Sequence, residues 1–277
     1  MKVLSLGAGV NSTAILVKKA QGDPNYDFDE AIIADTGEES RKTYEFIKEV
    51  IKPYCEKYNI KLTILKASES LSEHCKKRGI IPSRNFGWCR DKFKIQLIRK
   101  YLKNTYPNLW KSKDIETIIG FCVGEEKRVK GYKAITAKYS FPLYRMGVNR
   151  RGCVKIIQDS GLPIPPKSGC DICPHQPLES WIALYNNDPE AYARAEELEK
   201  NGKRYPELFL SWDYPLETLR HLLEANKKDM TEQEKQSATK MLYAYMPKTP
   251  GCAMCEIEDN TCLIEALIDA KVMEKKP

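Results

Sequence analysis

A chain of 277 residues with 42% hydrophobic and 30% charged residues has room for one large domain, or a main domain plus a smaller one, and ordinary globular composition. No apolar run reaches the width of a bilayer, and the N-terminal one is too short and glycine-rich for a secretion signal, so a cytoplasmic protein without a membrane partner is expected. In that setting ten cysteines argue against a disulfide framework and for metal or thiol chemistry, while the net charge of +7 is modest but unevenly spread.

The chain opens as a short strand, "KVLSLG", that breaks into "GAGVNS" and resumes as a helix over 12–20. Gly7 and Gly9, around Ala8, would let the backbone turn sharply and approach a ligand. The amides there, with the helix dipole and the hydroxyls of Ser12 and Thr13, could cradle a phosphate. Alone this signal is weak, because any tight strand-to-helix turn can use two glycines. Next come "EAIIADTG" and a helix over 40–58. Asp35 would end the strand as an acceptor for a ribose or amino group, with Thr36 beside it and Gly37 in the turn. The Glu38–Ser40 region would cap the helix. A plain capped loop reads equally well.

"KLTILKA", a helix over 90–103 and "ETIIGFCVG" complete a β-α-β-α-β-α-β order. That order predicts an α/β fold, a parallel sheet with helices on both faces, whose ligands bind beyond the carboxyl ends of the strands. From Lys127 to Gln158 there are nine Lys or Arg and no Asp or Glu, with Tyr132, Tyr139, Phe141 and Tyr144 interleaved. This is either a solvated basic face or a patch for a polyanion. The Pro-rich "SGLPIPPKSG" then marks a boundary, giving a larger α/β domain over 1–160 and a smaller, mainly helical Cys-rich domain over 161–277.

Two Gly-Cys-x-x-Cys pairs, Cys170/Cys173 and Cys252/Cys255, read as metal knuckles, with Cys262 seven residues further on. Thiolates suit zinc and an iron–sulfur cluster alike, and the spacing does not decide between them. Cys55, Cys75, Cys122 and Cys153 read as buried thiols. His74 and His221 read as surface residues, His175 as a loop histidine beside the knuckle, and Trp181 as core.

Together these stretches resemble the phosphoadenosine phosphosulfate (PAPS) reductase-like branch of the adenine nucleotide alpha-hydrolase, or PP-loop, superfamily. The loop Gly7–Ser12 is similar to its SGGxDS, and "DTGEESRKTYEF" to its DTG helix ending in Thr-Tyr. "RNFGWCRDKFK" is similar to its Trp-Cys followed by Lys, which singles out Cys89 and Lys94. "IGFCVGEEKRVKGY" resembles its Gly-rich segment, which singles out Gly120, Glu125 and Arg128, and "KSGCDICP" its Cys-x-x-Cys-Pro. The matches run in order from residue 4 to 174, about two thirds of the chain. The loop departs from the family at Gly7, Val10 and Asn11, and the neutral Asn11 leaves magnesium-assisted cleavage of ATP open.

The resemblance implies that ATP or another adenine nucleotide binds Gly7, Ala8, Gly9, Asn11, Ser12, Thr13, Asp35, Thr36, Gly37, Gly120, Glu125 and Arg128. It favours a [4Fe–4S] cluster over zinc, on Cys170, Cys173, Cys252 and Cys255, or on Cys89 with Cys170 and Cys173. Cys89, Asn11, Lys94 and Cys262 would be catalytic. The implied activity is a PP-loop ATP pyrophosphatase and sulfurtransferase that adenylates and thiolates an acceptor. The acceptor would be a small molecule or a nucleic acid, tRNA or DNA, held by segment 127–155, with sulfur from a donor protein. A PAPS or adenylyl-sulfate reductase releasing sulfite, or a nucleotide-binding relative without activity, are the alternatives.

Overall fold

The computed structural model describes residues 1–211 and 215–227. Five strands form one sheet: β1 (Lys2–Ser5), β2 (Glu30–Asp35), β3 (Lys61–Lys66), β4 (Glu116–Ile119) and β5 (Lys138–Ser140). Their order is β3-β2-β1-β4-β5 and every pairing is parallel. The four strands expected from the sequence are all present. The fifth, "KYS", is a three-residue edge strand with two exposed side chains and no apolar periodicity, so the sequence carries no signal for it.

Alternate side chains of β1 to β4 enter opposite cores, as both faces of a parallel sheet require. Leu4, Ala31, Ile33 and Ile118 pack with α1 (Val10–Ala20) and with residues of the helical run α2 (Arg41–Phe46) and α3 (Lys52–Lys57), which a π-helical turn joins at Ile47–Ile51. Val3 and Ile32, one residue out of step, point into the other core. After α4 (Leu71–Arg78) and the single turn α5 (Trp88–Arg90), a second π turn at Asp91–Ile95 leads into α6 (Gln96–Thr105). α6 supplies Ile98 and Leu102 to that core, and the short α7 (Pro107–Lys111) follows it. α8 (Glu126–Lys130), α9 (Pro142–Arg145) and α10 (Arg150–Asp159) complete this part.

From β1 the chain moves outward to β2 and β3, then returns across β1 to β4. The loops after β1 and β4 therefore diverge at a topological switch point, where ligands of such sheets bind. A Cβ on Gly120, just past β4, would lie 3.0 Å from the Ser12 amide nitrogen and 3.2 Å from the Asn11 carbonyl carbon. This glycine thus lets the two loops approach backbone to backbone.

The chain divides into two compact units, Met1–Arg78 with Asn85–Cys173, and Gly79–Arg84 with the described residues from Pro174 on. Cys170 and Cys173 group with the sheet. The second unit contains α11 (Leu178–Asn187), α12 (Pro189–Lys200) and α13 (Leu216–Lys227). Trp181 is fully buried there, the core residue that its spacing predicted. Cys55, Cys75, Cys122 and Cys153 are buried, also as expected.

One expectation fails. His74 is not a surface residue but is buried between the rings of Trp88 and Phe93, both at 5.5 Å, with Nδ1 2.5 Å from Glu69 Oε1. The charged neighbours in "LSEHCKKR" hid that α4 turns His74 inward along with Leu71 and Cys75.

Candidate active site

The loop after β1 turns through Ala8, at φ 53°, and not through either glycine. Of the two glycines, Gly9 is required by a close approach. A Cβ on Gly9 would stand 2.6 Å from Ser168 Oγ, whereas one on Gly7 would meet nothing within 4 Å. Gly9 is the N-cap of α1 and no side chain caps it, so the first-turn amides and the positive end of the helix dipole are left for another partner. Ser12 Oγ donates back to the Gly9 carbonyl at 3.2 Å, and the Thr13 hydroxyl is buried without a partner among the described residues.

Asn11 is the centre of a polar group. Its Nδ2 donates to Glu125 Oε2 at 2.9 Å, and its Oδ1 accepts from Arg150 Nη1 at 3.0 Å. Glu125 Oε2 also accepts from the Cys122 amide at 3.0 Å, while Oε1 accepts from Arg128. The Arg128 guanidinium lies 4.4 Å over the Phe121 ring. The sequence singled out Asn11, Glu125 and Arg128; Arg150 was hidden as one basic residue among nine.

The loop after β2 builds the second half. Asp35 Oδ1 accepts from the Gly37 amide at 2.8 Å and from the Tyr44 hydroxyl at 2.7 Å, and Oδ2 lies 3.8 Å from Lys66 Nζ. The Tyr of the Thr-Tyr pair thus holds the loop carboxylate. Burial, followed by that carboxylate, raises the Tyr44 pKa and keeps it a donor. Gly37 adopts φ 78°, and a Cβ there would meet Ser70 Cβ at 2.7 Å, so the position requires glycine on both counts. Ser40 caps α2 through the Thr43 amide at 3.3 Å. Asp35, Thr36, Gly37, Tyr44, Lys66 and Ser70 line a cleft of about 480 Å³ at the carboxyl ends of β2 and β3. That volume suits a nucleoside-sized ligand.

The Cys170 knuckle is sewn to this loop. The Ser40 amide donates to the Gly169 carbonyl at 3.0 Å and the Asp171 amide to the Glu38 carbonyl at 2.9 Å. Thr36 Oγ1 and Cys170 Sγ are 3.1 Å apart, and Lys94 Nζ donates to Glu39 Oε1 at 2.9 Å. Burial pushes the Cys170 thiol up, with Glu39 adding to it. Burial also raises Cys89, with Cys173 close enough to contribute. For Lys94 burial works downward, but Glu39 and the Cys170 and Cys173 thiols outweigh it and keep the ammonium charged. Lys94 reaches Glu39 from within the second π turn, a widening of the helix that no residue pattern announces.

Cys89, Cys170 and Cys173 are neighbours, yet among the described residues no three Cys, His, Asp or Glu side chains converge closely enough to hold a metal ion. The described residues do not by themselves form a cluster or zinc site. Cys252, Cys255 and Cys262 lie outside the described residues.

All nine basic side chains between Lys127 and Gln158 are exposed. Several are nonetheless matched: Lys138 with Asp114, Lys155 with Asp159, Arg128 with Glu125. The aromatics are less free than their interleaving suggested. Phe121 and Phe141 stack at 5.4 Å, Tyr132 packs edge-on to both, and Tyr139 packs on Tyr132 and Phe141.

Residues 2–112, from the opening strand through the Cys89–Lys94 helix, match the phosphoadenosine phosphosulfate reductase domain. This segment is PAPS-reductase-like. An uncharacterized protein of Methanocaldococcus jannaschii is 35% identical over 74 residues, which are 27% of this chain and 16% of that protein. The chain therefore spans only a small part of that relative's length. Two solved structures overlap the chain more loosely. The PAPS reductase of Candida auris, in a phosphate complex, has a TM-score of 0.41 and 16% identity, over 59% of this chain and 74% of its own. The U34-tRNA thiolase of Methanococcus maripaludis, with its [4Fe-4S] cluster, has a TM-score of 0.42 and 17% identity, over 73% and 72%. Among the described residues no helix is long and apolar enough to cross a membrane.

Proposed function

We propose that this PAPS-reductase-like chain is a PP-loop enzyme that uses an adenine nucleotide to place sulfur on an acceptor. One observation carries the reading. The uncapped start of α1 and the Cys170 knuckle are built as one place, with Ser168 against Gly9 and Gly169 and Asp171 hydrogen-bonded to the loop after β2. Nucleotide phosphates would lie at Gly7–Ser12 and the nucleoside in the cleft beside Asp35.

In this reading an acceptor oxygen attacks the α-phosphorus of ATP and pyrophosphate leaves. A persulfide sulfur, delivered by a donor protein to Cys89 or Cys170, displaces AMP from the activated carbon. A second thiol of the Cys89, Cys170, Cys173 group then attacks the Sγ of the cysteine that carried the persulfide, so that the thiolated acceptor leaves as a thiolate and the two cysteines close a disulfide, which an external thiol reduces. Lys94 would stabilise the thiolates as they form, since a neighbouring ammonium favours the charged sulfur. The exposed basic side chains of α8 and α10 favour a nucleic-acid acceptor, tRNA or DNA, bound through its phosphates.

The test is release of pyrophosphate and AMP from ATP, stimulated by tRNA or DNA; in Cys89→Ala or Cys170→Ala sulfur transfer and multiple turnover are lost while a single round of pyrophosphate release remains. Anaerobic iron, sulfide and zinc analysis of the full chain and of Cys170→Ala decides between a thiol route, a [4Fe–4S] cluster completed by the C-terminal cysteines, and zinc. The PAPS reductase match favours a second reading, reduction of an adenylyl-sulfate with release of sulfite. Sulfite formed from PAPS and a thiol reductant, without pyrophosphate from ATP, would replace the first reading by the second.

A further inference from the structure

Asn11 stands where the resembling family carries an acid, and its amide is used in both directions. One end donates to a carboxylate and the other accepts from a guanidinium. An aspartate in this conformation would bring a carboxylate oxygen to 2.9 Å from Glu125 Oε2, a repulsive contact unless a proton or cation entered between them. Glu125 is not an open metal ligand either. Its oxygens accept from Asn11, from the Cys122 amide and from Arg128. With Asn11 neutral, the group holds one carboxylate, Glu125, which pairs with Arg128, and a second guanidinium, Arg150, which bonds to Asn11, so it carries a net positive charge before any ligand arrives. An acid at position 11 would cancel that charge.

Arg150 is also placed to use it. It is the first residue of α10, its side chain is exposed, and the Nη1 bond to Asn11 leaves the other donors of a five-donor fork at the mouth of the loop. We propose that Arg150 binds the anionic group of the nucleotide, and that the guanidinium held by Asn11 takes the place of a divalent cation in neutralising it. Binding of an adenine nucleotide at this loop is then independent of magnesium. The inference deepens the nucleotide reading above and rests on it.

Titration calorimetry of the full chain with ATP and with 3′-phosphoadenosine 5′-phosphate, each in EDTA and in excess magnesium, tests it. The expected result is the same affinity in both media within about threefold, and a loss of about tenfold or more in Arg150→Ala, the scale of one charge-assisted hydrogen bond. Arg150→Lys, which keeps the charge but not the fork, should fall between them, and circular dichroism checks that each variant is folded. Asn11→Asp should bind more tightly in magnesium than in EDTA. Wild-type binding that needs magnesium, or an Arg150→Ala protein that binds like wild type, overturns the inference and leaves the nucleotide reading standing. If Arg150→Ala does not fold, an Arg150→Lys protein with wild-type affinity and no magnesium effect counts against the role of the fork. A folded wild-type chain that binds neither nucleotide in either medium overturns both.

Discussion

At the amino end of the sheet Glu30 is fully enclosed, and hydroxyls of Thr63, Tyr101 and Tyr106 donate to it at 2.5, 2.7 and 2.6 Å, with Lys61 at 3.3 Å. At the carboxyl end Glu125 stays part-exposed and shares its oxygens with an amide side chain, a backbone amide and an exposed arginine. The first arrangement is saturated and joins β2, β3 and α6 into one polar knot. The second leaves donors of Arg128 and Arg150 unspent, which is what a site awaiting an anion needs. A carboxylate is therefore structural or functional here according to what its donors do next, and burial alone does not tell which.

Glu199 of the second unit extends the lesson. Among the described residues it accepts two backbone amides, from Leu210 at 2.7 Å and Leu216 at 2.6 Å. Burial wins, and with Glu196 and Glu217 adding like charge its pKa is pushed up to about 7. For Glu30 burial also pushes upward, but the hydroxyls of Thr63, Tyr106 and Tyr101 outweigh it and hold the carboxyl below the ordinary range.

The largest expected effect that would break the contrast is at the amino end. Glu30→Ala strands three hydroxyls and opens a void, and should cost about 3 kcal/mol of unfolding free energy in urea titrations. Nucleotide affinity of the protein that remains folded should not change; a loss of binding with little loss of stability would invert the assignment of the two ends. Gly120→Ala comes next, because its Cβ would press on the Ser12 amide at 3.0 Å. It should cost about 1–2 kcal/mol and weaken nucleotide binding, since the loop must shift.

Two pH experiments are finer. The lowered Glu30 pKa contributes stability that is present above its unfolded value near 4.5 and lost as pH falls through the folded value, so Glu30→Gln should flatten the acid limb of the stability profile. Glu199 acts with the opposite sign. Its raised pKa makes the folded state hold a proton longer, so stability falls as pH rises from about 4.5 to about 7, and Glu199→Gln should remove that slope in thermal melts.

The sequence was legible where a local rule suffices. Apolar runs and their order determined the parallel sheet, the Ser40 cap and the core role of Trp181, and the spaced motifs brought the loop, the Asp35–Gly37 turn and the Glu125 segment into view as one kind of site. Other features depend on contacts between residues far apart in the chain, and only the tertiary structure decided them. Ala8, not a glycine, takes the left-handed turn, Gly9 yields to Ser168, and α4 turns His74 inward. Arg150 reaches Asn11 from 139 positions away, and Lys94 reaches Glu39 across 55. A single strand of text records which residues can donate, accept or carry charge. Which of them meet is set by the strand order and by backbone widenings such as the π turn at Asp91–Ile95, because those fix where each side chain leaves its element.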